Sequence, residues 1–78
     1  MKPNIFDALK RFEERLQGVL PGASFRLTDP SDGNDLGLEV ILPRAHITRE
    51  ERLKIAEIAA DIEEEFEVYI GTVAKPQA

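Results

Sequence analysis

The run LGLEVIL, Leu36 to Leu42, alternates without a break. Leu36, Leu38, Val40 and Leu42 take one parity, and Gly37, Glu39 and Ile41 take the other. Successive side chains of a strand point to opposite faces, so this run predicts a β-strand with one face to bury. A strand cannot bury a face alone. It needs neighbours in a sheet and a second layer over its apolar side, and the rest of the chain has to supply both.

Two further runs share the period. In ASFRLT, Ala23, Phe25 and Leu27 stand against Ser24, Arg26 and Thr28. In EVYIGTV, Val68, Ile70 and Thr72 stand against Tyr69, Gly71 and Val73. The covering layer comes from two segments of helical period. Ile5, Leu9, Phe12, Leu16 and Val19 draw one stripe between Asn4 and Leu20, widened by Phe6 and Leu20. Asn4 suits an N-cap with Asp7 completing a capping box, and Pro21-Gly22 stops the helix. After Pro43, Thr48 and Glu51 form a second capping box. That helix runs to about Glu65, with Leu53, Ile55, Ala56, Ile58, Ala59, Ile62 and Phe66 on its apolar side. Lys75-Pro76-Gln77-Ala78 reads as a frayed tail.

The expected fold is therefore a single α+β domain over residues 1–78, a two-layer sandwich in the order α-β-β-α-β. Its three-stranded sheet is expected to be mainly antiparallel, with two helices on the face of Phe25, Leu27, Leu38, Val40, Val68 and Ile70. The third strand returns after a helical crossover and runs in the direction of the second. Beside the first strand it closes an antiparallel sheet of order 2-1-3, and beside the second a mixed sheet of order 1-2-3. The all-antiparallel order is the one expected. In architecture alone the order resembles K-homology RNA-binding modules. Such domains use a Gly-x-x-Gly loop between two helices, which is missing here.

Composition excludes several functions. With no cysteine there is no disulfide, thiolate zinc site or cysteine nucleophile. A net charge of −5 opposes general nucleic-acid binding, which rests on neutralising phosphates. No apolar run reaches the roughly 18 residues of a membrane helix, and Met1-Lys2-Pro3-Asn4 leads into a charged segment and not a signal core. A soluble, cytoplasmic protein is expected, without a cofactor.

Three surfaces offer chemistry. The loop RLTDPSDGNDLGLEV gathers Asp29, Asp32 and Asp35 around Gly33. Aligned to a calcium loop with Gly33 at position 6, it sets Thr28 and Pro30 where positions 1 and 3 need carboxylates. It reads as a hairpin turn with a possible acidic contact. Next, Arg44, His46, Arg49 and Arg52 gather near the start of the second helix, where free N–H groups favour an anion. Lone His46 has no triad partner at a telling spacing. Third, the uncovered sheet face presents Ile41, Tyr69 and Val73 with the small residues Gly37 and Gly71.

A charge conflict accompanies them. Glu57, Asp61, Glu63, Glu64, Glu65 and Glu67 crowd the end of the second helix against its dipole. Lys10, Arg11 and Arg15 of the first helix could answer them, and Glu67 stands where a helix usually turns on glycine.

The leading expectation is a small non-enzymatic interaction or regulatory protein, homodimeric through the open sheet face. A second is an acidic mimic that occupies the basic site of a nucleic-acid-binding protein with Asp29, Asp32, Asp35 and Glu63 to Glu65. A third is a ligand- or nucleic-acid-binding module using Arg44, His46, Arg49 and Arg52.

Overall fold

The computed structural model describes residues 5–30 and 33–77. Asn4, assigned as an N-cap, and Asp32 of the acidic loop lie outside the described residues, as do Ser31 and Ala78. The elements are α1 (Ile5–Val19), β1 (Ser24–Thr28), β2 (Leu36–Leu42), α2 (Arg49–Phe66) and β3 (Ile70–Pro76). They build the expected α+β sandwich.

The sheet order is β1-β2-β3, not the expected 2-1-3. β1 pairs antiparallel with β2 from Ser24↔Ile41 to Thr28↔Gly37, and β3 pairs parallel with β2 from Leu36↔Ile70 to Leu42↔Pro76. The sheet is therefore mixed rather than mainly antiparallel. The physical reason is burial of β2. Gly37, Leu38, Glu39, Val40 and Leu42 are all buried, and such a strand is stable at the centre, with a neighbour on each edge. Backbone bonds hold β3 there. The N–H groups of Asp35 and Leu36 donate to Tyr69 O at 2.7 and 3.1 Å. At the far end Gln77 N–H donates to Leu42 O at 2.8 Å. Lys75 and Pro76, expected to fray, are strand residues.

The core gathers Ala8, Phe12, Leu16 and Leu20 from the α1 side, Leu38, Val40 and Leu42 from β2, and Ile55, Ile58 and Ile62 from α2, with Val68 and Ile70. The Phe12 ring meets Phe25 of β1 edge-on, with centroids 5.5 Å apart at 86°. The buried α1 stripe follows a strict spacing of four, so Val19 and Phe6 fall off it, and Phe6 is 84% exposed. Leu53 and Ala56 of α2 and Leu27 of β1 likewise lie outside the core expected for them. Leu27 sits near the open end of an edge strand, where it stays 58% exposed.

Two devices settle the helix ends. Thr48 Oγ1 accepts from Glu51 N–H at 3.1 Å, and Glu51 Oε1 accepts from Thr48 N–H at 2.9 Å, completing the capping box. The acidic end of α2 lies against α1, where Arg11 reaches Glu65 at 3.3 Å and Arg15 reaches Asp61 at 2.7 Å. These exposed pairs are each worth about 0–1 kcal/mol, the same order as the dipole penalty they offset. Glu67 takes the left-handed conformation, φ 58° and ψ 34°, and donates its N–H to Glu63 O. A non-glycine residue there costs about 1–2 kcal/mol.

Candidate interaction surface

Because the core side chains share one parity of the sheet, the other parity faces away from both helices. The register sets Ser24, Arg26 and Thr28 of β1 beside Ile41, Glu39 and Gly37 of β2. On the other side Gly71, Val73 and Lys75 of β3 stand beside Gly37, Glu39 and Ile41. At the centre is Glu39, only 8% exposed although no helix lies over it. Its neighbours cover it. Arg26 Nε lies 2.7 Å from Oε1, and Lys75 Nζ lies 2.9 Å from Oε2. Both cations stay largely exposed while their heads hold the carboxylate. The hydrogen bond from Lys75, with that from Arg26 and the charge of both, holds the Glu39 carboxyl below the ordinary glutamate range against the opposing effect of burial.

Around this cluster the expected contact residues divide. Val73 is 57% exposed, Tyr69 is half exposed between buried Val68 and Ile70, and Ile41 is half-buried. Gly71 is half-buried beside Gly37. Gly37 itself is not a docking gap. A Cβ there would lie 2.7 Å from both Asp29 O and Thr28 Oγ1. Its missing side chain lets the end of β1 fold closely over β2.

The acidic loop does not converge. Asp35 Oδ2 accepts the Tyr69 N–H at 2.9 Å, so this carboxylate staples the loop to the α2–β3 connection. Asp29 is exposed. Gly33, at φ 86°, supplies the left-handed turn. Among the described residues, no three of His, Cys, Asp and Glu come together as a metal set.

Nor does the basic start of α2 act as a unit. Arg44 is hydrogen-bonded to Glu51 Oε2, so the anion at this helix start is the chain's own. The backbone hydrogen bond from Thr48, then the Thr48 hydroxyl and Arg44, holds Glu51 below the ordinary glutamate range although burial opposes it. His46 and Arg49 are exposed. Arg52 lies apart from Arg44, lining a cleft between α2 and β3.

The residues that sequence reasoning missed are Lys75 and the Arg26–Glu39 pair. Both were within reach of counting. Extending the alternation Gly71, Val73 by one more step reaches Lys75, and pairing Thr28 with Gly37 sets Arg26 opposite Glu39. No protein-family model, curated protein or solved structure matches the chain. Among the described residues, no helix is long and apolar enough to cross a membrane.

Proposed function

We propose that this is a small non-enzymatic interaction protein that associates, chiefly with a second copy of itself, through the open face of its sheet. The observation that carries the reading is the paired Glu39 at the centre of that face, with Val73 beside it on β3, Ile41 two positions along β2 and exposed Tyr69 just before β3. Both oxygens of the Glu39 carboxylate are already paired, and the one positive charge in excess stays on the exposed Arg26 and Lys75 heads at the rim, where water can keep it solvated. The exposed apolar residues beside it then supply the contact.

The area sets the strength. Three strands about 4.8 Å apart and seven residues of about 3.3 Å give a face of roughly 300–400 Å². A standard interface takes about 800 Å² from each partner, so self-association through this face alone is weak and reversible. Sedimentation velocity from low to high micromolar protein tests it. The weight-average mass rises with concentration in the wild type and stays monomeric in Tyr69→Arg and Ile41→Arg. A wild type that stays monomeric throughout overturns self-association. Association that both substitutions leave unchanged assigns it to another surface.

A further inference from the structure

We propose that the cleft between α2 and the outer edge of β3 is a peptide groove. It takes an extended segment of a partner protein as a fourth strand, with an acidic side chain of that segment paired to Arg52. The site lies along the outer edge of β3, shares only Val73 with the open sheet face, and does not depend on self-association there.

Three observations converge on this cleft. First, among the described residues β3 is an edge strand whose one strand neighbour is β2, so its outward main-chain groups have no strand there to pair with. Such an edge is a template for another strand. Lys75, drawn onto Glu39, and Pro76, which lacks an N–H, close the far end, leaving Ile70 to Ala74 as the usable length. Second, the space above that edge is open, with a small side chain, Ala56, at its wall. Arg52, Ile55 and Ala56 of α2 face Thr72, Val73 and Ala74 of β3 across a cavity of about 350 Å³. That is the size of a small-molecule or side-chain pocket. Ala56 has apolar helix spacing yet is exposed, and Leu53, three residues away on the same flank, is half exposed. Third, Arg52 is the charged residue lining the cleft and, like Lys10, Arg49 and Lys54, it has no ion pair among the described residues.

These features define the ligand. A strand added at β3 sends alternate side chains toward the helix, about 6.6 Å apart. One of them fills the space over Ala56 and the next reaches Arg52. The recognised pattern is a small apolar residue and an acidic residue separated by one position, in an extended segment without proline. The chain's net charge of −5 opposes generic capture of acidic peptides, so binding depends on the local cation and the strand pairing.

The test uses the full chain and two fluorescein-labelled synthetic peptides, one with a Val-Thr-Glu core and one with Glu-Thr-Val, each flanked by Ser and Thr. Fluorescence anisotropy reads affinity, and amide chemical shifts map the site. One peptide is expected to bind and to shift the amides of Ile70 to Ala74. Arg52→Ala and replacement of the peptide Glu by Gln each weaken binding about tenfold, and the two losses combined do not add. Ala56→Trp, at an exposed position, abolishes binding while the circular dichroism spectrum is unchanged, and Ile41→Arg on the open face leaves it intact. Failure of both peptides at about 1 mM, roughly −4 kcal/mol, overturns the proposal. So does binding indifferent to Arg52→Ala and Ala56→Trp, or mapped to the open face. Concentration-dependent shifts of Thr72 and Ala74 without peptide, with none at Glu39 and Ile41, would also overturn it, by making a second copy the occupant.

Discussion

Adding one methyl group at Gly37 tests the close approach of the end of β1 to β2. The new Cβ would stand 2.7 Å from Asp29 O and from Thr28 Oγ1. The hydroxyl can rotate away, but the carbonyl is backbone and moves only if the end of the hairpin opens by about half an ångström. Overpacking of this kind costs about 1–3 kcal/mol. Alanine recovers about 0.4–1 kcal/mol by restricting the unfolded chain, so Gly37→Ala is expected to destabilise by about 1–2 kcal/mol. At about 4–8 °C per kcal/mol for a domain this size, the melting temperature falls by about 4–16 °C. Thermal and urea unfolding followed by circular dichroism reads the change. Gly18→Ala is the control, because nothing lies within 4 Å of a Cβ in that exposed helical position. It should gain about 0.5–1 kcal/mol from helix propensity. Adding Thr28→Ala to Gly37→Ala recovers only part of the loss, since Asp29 O remains. If Gly37→Ala is as stable as the wild type, the close packing of β1 over β2 is wrong.

Other substitutions probe the remaining joints. Glu67→Gly relieves the left-handed backbone but loosens the unfolded chain, for a net gain of up to about 1 kcal/mol, whereas Glu67→Ala keeps the strain. A loss in Glu67→Gly would contradict the left-handed cap. Glu39 and Glu51 both titrate below the ordinary value of about 4.5, so the unfolded chain takes up their protons first as pH falls. Their stabilisation is complete above that value and drains away as pH drops through the folded values. Urea midpoints measured from pH 7 to pH 3 should therefore fall on the acid side, less steeply in Glu39→Gln, and an unchanged slope in that variant would refute the ion cluster. Asp35→Ala removes the acceptor for Tyr69 N–H, so hydrogen exchange at the Tyr69 amide should accelerate well beyond that of the β2 core amides.

Much of this architecture is written in local patterns. The alternation of Leu36 to Leu42 marks the central strand, and Thr48 with Glu51 marks the start of α2 to the residue. The interhelical pairs of Arg11 and Arg15 answer a charge conflict visible along α2. Strand order is different, because local pairing preferences favour antiparallel neighbours while the order depends on which strand most needs burial on both edges. Helix faces were read too broadly for the same reason. Val19 and Leu53 satisfy helical spacing, but the sheet they must cover is only three strands wide. Of the contact surface, Ile41, Tyr69 and Val73 were legible from parity. The centre was not, because Glu39 reads as a solvent-facing charge until Arg26 and Lys75 are brought to it from two other strands.

The most direct test of the open sheet face as the contact surface is a concentration series of amide chemical shifts on the wild-type chain. Contact through this face gives shifts that grow with concentration at Arg26, Glu39, Ile41 and Lys75, with the outer faces of α1 and α2 unchanged. Shifts confined to the helices, or none up to millimolar protein, would contradict it.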